Sequence, residues 1–214
     1  MFPQEKNPFF KFKLKKAPSK KERLSLDEID QLHQVDLNID LRIWNVRNAF
    51  LLSFYCAGVR VGDLIQLKWS NIQGDYLIYS MDKTESYRKV KLIQQSRDIL
   101  NLYKSDDNLK KHFIFPFLKN DEDYSDKNFL MAQLSSQTAK INYHLKKIAK
   151  LAGIEKRLTS HIARHSFADI ARKKGVKLYD ISKALGHTNL GITQAYLASF
   201  DDDSLENAID MIFG

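Results

Sequence analysis

Most of the apolar positions in this chain recur at helical spacing, and a few short stretches read as extended strands. The run Ser25-Leu26-Asp27-Glu28 is a capping box, in which the Ser hydroxyl and the Glu three residues on satisfy free helix N–H groups; it opens a helix over about 26–35. The segment 41–57 is a longer apolar helix carrying Ile43, Trp44, Val46, Phe50, Leu51 and Phe54. Gly58 ends it at the usual left-handed capping position, and this helix is the expected spine of the core. A short helical piece follows near 61–67. The stretches 76–79 and 90–93 read as strands on either side of a polar turn, 82–88, which predicts a hairpin. Further helices are expected at 94–104, 135–152, 161–174 (ended by Gly175), 178–185 (ended by Gly186), 189–198 and 203–212. Residues 105–130 are polar and irregular around Phe113-Ile114-Phe115-Pro116-Phe117, which should pack as one apolar segment between loops. The expected fold class is therefore α+β: mostly α with a small antiparallel β-sheet.

Length and composition narrow the class of protein. The chain has 214 residues, enough for one principal core, and with 43% hydrophobic residues, 8 Gly and 4 Pro it is neither collagenous nor low-complexity. Its longest nearly apolar run, 49–59, is half of the roughly 20 residues that a membrane span needs. The first stretch carries charges throughout and does not read as a secretory signal, so the expected address is cytoplasmic and no membrane partner is expected. The single cysteine, Cys56, lies in an apolar segment and reads as a buried, inert thiol.

Charge changes the picture further, because it is unevenly spread. Residues 1–25 hold eight Lys/Arg against two Glu, and residues 140–190 hold twelve basic against three acidic, whereas 191–214 carry five acids and no base. Two such basic blocks suit a polyanion, and neutralising phosphates releases counterions, so nucleic acid leads the expected partners. Lys11, Lys13, Lys15, Lys16, Lys20, Lys21 and Arg23 form an extended basic arm that should track a DNA backbone; residues 1–24 are read as this arm and 25–214 as the compact domain.

The sharpest chemical cluster is His161-Ile162-Ala163-Arg164-His165 at the start of a predicted helix. Residues three apart share a helix face, so His161 and Arg164 should project together as donors suited to a phosphate, while His165 reads as a local packing or capping residue. His187, in Leu185-Gly186-His187, follows Arg164 by 23 residues, and Tyr196 lies nine beyond it. Arg60 sits just after the helix-ending glycine, in the run AGVRVGDL at 57–64.

Taken with a Lys-Thr pair in the hairpin and the runs HIARHSFA, LGH and TQAY, these features resemble the C-terminal catalytic domain of the tyrosine recombinases, or phage integrase family, over about residues 22–200. By that resemblance Arg60 is the first catalytic arginine and Asp63 the acid that supports it. Lys83 is the hairpin lysine, His161 and Arg164 are the HxxR pair, His187 the His-or-Trp position and Tyr196 the nucleophile. The resemblance further implies double-stranded DNA as partner, a monomer alone and a tetramer on paired DNA sites, and no cofactor or metal. It implies work on a mobile genetic element. An N-terminal core-binding domain that clamps the other face of DNA is expected to be absent from this chain, and the amphipathic tail (Leu205, Ala208, Ile209, Met211, Ile212, Phe213) either folds back or, as the resemblance implies, docks on a neighbouring subunit.

These residue types make chemical sense on their own. Two arginines can grip the non-bridging oxygens of a phosphodiester and stabilise its five-coordinate transition state. Tyr196, ordinarily with a pKa near ~10, needs a base, and a histidine in the arginines' positive field can serve. Lys83 is placed to protonate the leaving deoxyribose oxygen. The resulting 3′-phosphotyrosyl ester conserves the bond energy, so strands can be rejoined without ATP. Three other readings use parts of the same set: a type IB topoisomerase-like relaxase, a non-catalytic DNA-binding regulator, and a metal-free nuclease using His161 and Lys83. The run Asp201-Asp202-Asp203 reads as a solvated helix start rather than a metal site.

Overall fold

In a computed structural model, residues 22–37, 40–81, 86–105 and 110–198 are described. Eight helices run through them, α1 (Leu26–Gln34), α2 (Leu41–Tyr55), α3 (Val61–Gln66), α4 (Gln94–Asn101), α5 (Lys127–Leu151), α6 (Ser160–Lys173), α7 (Leu178–Leu185) and α8 (Leu190–Ala198). Three strands, β1 (Ile72–Gln73), β2 (Tyr76–Ser80) and β3 (Tyr87–Lys91), form an antiparallel sheet in that order. The mostly helical α+β class is the one the pattern predicts. None of the described helices is long and apolar enough to cross a membrane.

Local chemistry sets these boundaries. The capping box at α1 is complete: the Glu28 amide donates to Ser25 Oγ at 3.2 Å and the Ser25 amide donates to Glu28 Oε2 at 2.8 Å. α2 is the spine, with Val46 and every residue from Asn48 to Phe54 buried, and it packs against α1, α4, α5 and α6. Two consecutive left-handed residues, Ala57 (φ 62°) and Gly58 (φ 72°), then reverse the chain. Cys56 is buried, and burial pushes its thiol up to about 12, as an inert cysteine requires.

Three elements differ from the sequence pattern. α5 begins at Lys127, eight residues before the expected start, because the Asp126 side chain accepts from the Phe129 amide at 2.7 Å and caps it. Its first two turns are hidden from a periodicity argument, since Phe129 and Met131 are exposed and Leu134 is the first buried position. β3 spans 87–91 rather than 90–93: the pairing of Tyr76 with Lys91 and Ser80 with Tyr87 fixes its register, and Ile93 caps α4 instead. β1 has two residues and no pattern of its own. The Phe113–Phe117 segment packs as expected, with Phe115 fully buried and edge-on to Tyr103 at 4.9 Å between ring centroids. The expected helix at 203–212 lies outside the described residues.

The folded domain starts before residue 25. Leu24 is buried and its amide donates to Ser166 Oγ at 2.8 Å, while the Arg23 guanidinium meets the buried Asp169 carboxylate at 3.5 Å. Arg23 is thus part of the domain's anchorage to α6 rather than of the arm; the six arm lysines lie outside the described residues.

α6 decides the layout because it has two buried faces. Ile162 and Ala163 belong to the main core with α2 and α5, whereas Ala168 and Ala171 pack with Ile181, Leu185 and Leu197 in a small second cluster that holds α7 and α8. A Cβ at Gly58 would lie 2.8–2.9 Å from the Arg164 Cα, Cβ and Cγ atoms, so α2's end and α6 touch only because that side chain is absent. At Gly153 (φ 70°) nothing lies within 4 Å of such an atom. Gly58→Ala should therefore cost about 3 kcal/mol, combining left-handed strain with overpacking, and Gly153→Ala only about 1 kcal/mol of strain. Urea midpoints at unchanged slope check the difference.

Candidate active site

Four of the predicted residues converge where the two clusters meet. Arg164 leaves α6 at a buried position and its guanidinium donates to Gly58 O at 2.8 Å and to Leu185 O, tying the end of α2 to the end of α7. Burial, then the charge of Arg60, lowers its pKa to about 10, so it stays cationic at neutral pH. Arg60 is the residue preceding α3 and extends to Met81 Sδ at 3.1 Å. The loop that carries it is pinned by Ser53, whose hydroxyl donates to Val59 O at 2.7 Å and whose carbonyl accepts from the Gly58 amide at 2.8 Å. Asp63 is buried on α3, three residues on, and its charge acts on the neighbouring Tyr79 phenol, itself pushed up chiefly by burial.

His187 follows Gly186, which caps α7 with φ 64°. Its Nδ1 lies 2.7 Å from the hydroxyl of the fully buried Thr193, and its Nε2 lies 3.3 Å from an Arg164 amine nitrogen. A guanidinium only donates, so Nε2 accepts and the ring proton sits on Nδ1. Burial, with Arg164, Arg60 and Arg88 nearby, lowers the His187 pKa to about 4, so the ring is neutral at pH 7. Donation from Nε2 to a phosphate therefore requires the proton to change nitrogen or a second proton to arrive.

Tyr196 projects from α8, half-buried, with its ring 5.8 Å from that of His187. Its hydroxyl is hydrogen-bonded to Nδ1 of His165. Burial pushes the phenol pKa well up, and the Arg164 charge pulls it partly back. His161 and Arg164 do not share an environment: Arg164 is buried, His161 is exposed, and the His161 ring meets that of His165 edge-on at 5.6 Å. The spacing of four between the two histidines, rather than three between His161 and Arg164, governs the contact. Lys83 lies outside the described residues.

The sequence reading missed two residues. The sequence alone reads His165 as a packing or capping residue, yet its Nδ1 is hydrogen-bonded to the tyrosine hydroxyl; the signal available is its i+4 relation to His161. Arg88, on β3, donates to the Lys183 and Ala184 carbonyls in the last turn of α7 and so latches the hairpin to the helix that precedes His187. A Cβ at Gly186 would meet Met81 Cε at 2.4 Å, which brings the other hairpin strand's end against the same turn. Nothing in the pattern of 87–91 distinguishes Arg88 from the exposed lysines beside it; its partners come from a helix 95 residues further along the chain. Among the described residues no group of three or more His, Cys, Asp or Glu is placed to hold a metal ion.

A helical domain with a small antiparallel sheet, two arginines, a histidine and a tyrosine gathered between α2, α6, α7 and α8, has the architecture of tyrosine recombinase catalytic domains. The chain belongs to the phage integrase family, whose model matches residues 22–203. It is 33% identical over 178 residues to the tyrosine recombinase XerD of Oceanobacillus iheyensis, covering 81% of this chain and 56% of that protein. It is 29% identical over 185 residues to XerD of Listeria innocua, covering 85% and 59%. The chain thus spans little more than half the length of these curated relatives. Among solved structures, the crystal structure of XerA recombinase superposes with a TM-score of 0.64 at 24% identity, covering 92% of this chain and 67% of that one. XerH site-specific recombinase bound to a palindromic difH substrate, a post-cleavage complex, gives 0.62 at 21% identity, covering 92% and 54%. Both likenesses concern the fold.

The lowered His187 pKa makes stability depend on pH. Unfolded histidine titrates near ~6.5, so between pH 6.5 and about 4 the unfolded chain binds the extra proton and the folded one does not. His187's contribution is complete above pH 6.5 and is lost as pH falls towards 4. His144 is shifted in the same direction, chiefly by burial, and remains in both chains when wild type is compared with His187→Gln. The variant should lose less stability between pH 7 and pH 4.5, as read by denaturant midpoints.

Proposed function

We propose that this chain is the catalytic domain of a site-specific DNA recombinase that cuts and rejoins strands through a 3′-phosphotyrosyl intermediate. The observation that carries the reading is the crowding of three arginines, of which Arg164 acts on the Tyr196 phenol. Arg60, Arg164 and Arg88 crowd one another closely enough that Arg60 and Arg88 both lower the Arg164 pKa. A phosphodiester relieves that repulsion, and the charge that develops on its non-bridging oxygens in the transition state relieves it further. The Tyr196 oxygen then attacks phosphorus, the bond to the 5′-oxygen breaks, and Lys83 is the proposed donor of the proton that this oxygen takes up. His161, exposed at the start of α6, is the proposed further donor to the phosphate. Asp63 supports the Arg60 loop from within. Rejoining reverses these steps, with a 5′-hydroxyl displacing the tyrosine.

Double-stranded DNA is the proposed partner, and the lysines of α5 support it: Lys140, Lys146, Lys147 and Lys150 are all exposed. A tetramer on paired sites is proposed, in line with the lambda integrase tetramer bound to a Holliday junction, whose fold this chain shares with a TM-score of 0.60; a monomer when alone, an intracellular address and DNA of a mobile element are part of the same proposal.

Covalent trapping tests the reading. Mixed with nicked duplexes of randomised core sequence, so that the cleaved fragment diffuses away, the protein should form a denaturant-resistant adduct through a 3′-phosphate on Tyr196 without added divalent metal. Tyr196→Phe should form none, and Arg164→Lys should slow adduct formation by about 10²–10³-fold, since a point charge does not replace the fork that holds Gly58 O and Leu185 O. Binding without any adduct overturns the reading in favour of a non-catalytic binder. In a separate measurement, changing the six arm lysines (11, 13, 15, 16, 20 and 21) to Gln should flatten the slope of log K against log salt by up to about 5; an unchanged slope makes the arm a bystander.

A further inference from the structure

The strand-cleavage reading leaves open which group removes the Tyr196 proton, and the geometry points to His165. We infer that His165 is the general base for the nucleophile, accepting the phenol proton at Nδ1. The inference rests on the reading above. Burial makes the Tyr196 phenol harder to ionise than a free one, so an unassisted phenolate is scarce at neutral pH. His165 Nδ1 is hydrogen-bonded to the hydroxyl, with the two rings tilted by 35° and their centroids 5.3 Å apart.

The other imidazoles at the site are placed for different work. His187 has one nitrogen on Thr193 and the other facing Arg164, and its pKa near 4 makes it a poor acceptor for a phenol proton. His161 is exposed and meets His165 through its ring, one helical turn away. The charged and titratable groups around the pair are therefore His161 and Arg164 on α6 and His187 between α7 and α8, with Arg60 and Arg88 adding positive field at Arg164 and His187.

The step balances without a co-reactant beyond DNA. The Tyr196 O–H bond breaks and its proton passes to Nδ1, giving an imidazolium. The phenolate oxygen forms the bond to phosphorus as the bond to the 5′-oxygen breaks. The leaving 5′-oxygen takes its proton from Lys83, the proposed donor; on rejoining, the incoming 5′-hydroxyl gives that proton back to Lys83 as it displaces the tyrosine, and the imidazolium returns its proton to the departing phenolate. Arg164, adjacent in sequence, is buried and its charge acts on the Tyr196 phenol; in this reading it holds the phosphate, so one turn of α6 presents both the acceptor of the proton and the neutraliser of the charge.

The test uses the full chain and the duplex recovered by trapping, made with a sulfur in place of the scissile 5′-oxygen. A thiolate leaves without being protonated, so any remaining defect lies on the nucleophile's side. His165→Gln keeps a polar side chain beside the hydroxyl but cannot carry the proton; it should slow adduct formation by about 100-fold or more on both the sulfur and the ordinary duplex. Installing 3-fluorotyrosine, a more acidic phenol, at position 196 of that variant should restore part of the loss, which a purely structural role for His165 does not predict. If His165→Gln loses its fold by circular dichroism, 3-fluorotyrosine in the otherwise unaltered chain carries the test. The acidic limb of the pH–rate profile should then stay where it lies with tyrosine if His165 takes the proton, and shift down with the phenol's own acidity if it does not. A His165→Gln rate within threefold of wild type, or a limb that follows the phenol, overturns the assignment while the cleavage reading stands. Absence of any adduct with the wild-type chain overturns both.

Discussion

A charged guanidinium buried among carbonyls holds this domain's working parts together. Arg164 is 8% exposed, and a cation so placed is tolerated only where its N–H groups find acceptors. It finds them at the ends of two other helices, Gly58 O after α2 and Leu185 O in the last turn of α7, where carbonyls lack intrahelical partners. One side chain therefore satisfies two helix termini and fixes the distance between them. The close approach of Gly58 to the Arg164 backbone is part of the same arrangement, because any β-carbon there would push α6 away from the carbonyl it needs.

That tie matters because α7 and α8 have little else to hold them. Their apolar contacts form a cluster of five buried residues, separate from the large core around α2. Small clusters sit at the low-stability end of a structure, and Tyr196, the proposed nucleophile, packs against this one. Polar contacts compensate: Arg164 and Arg88 both grip the carbonyl end of α7, and His187 bonds to Thr193 on α8. The same residues that shape the electrostatics of the site are thus the fasteners of its least-supported helices.

The electrostatics follow from crowding cations in a partly buried place. Burial, and then Arg60 and Arg88, make Arg164 less willing to hold its proton, and burial together with the three arginines keeps His187 neutral. Such a site carries unrelieved repulsion, which the dianionic transition state of the proposed reaction would relieve; that is how preorganised charge differs from charge gathered on demand. Burial makes the Tyr196 phenol less acidic, which is why the proposed cleavage calls for a neighbouring base.

Much of this is legible in the amino-acid sequence. Caps and stops such as Ser25-Glu28, Gly58 and Gly186 are local, since they depend on hydrogen bonds and backbone angles within a few residues, and helix α2 declares itself by apolar density. Arg60, Arg164, His187 and Tyr196 were recognisable because their order and spacing are carried by the chain itself. What the sequence could not contain is contact across it. The start of α5 is set by one cap hidden in a polar run, and β3's register by pairing with β2. His165 faces Tyr196, and Arg88 faces the end of α7, only because α6 is packed on two sides and the hairpin is pressed against the His187 turn. Residue type and periodicity determined which elements form and which side chains could do chemistry; tertiary packing decided which of them meet, because a hydrogen bond between residues 31 or 95 positions apart exists only once the intervening chain has folded.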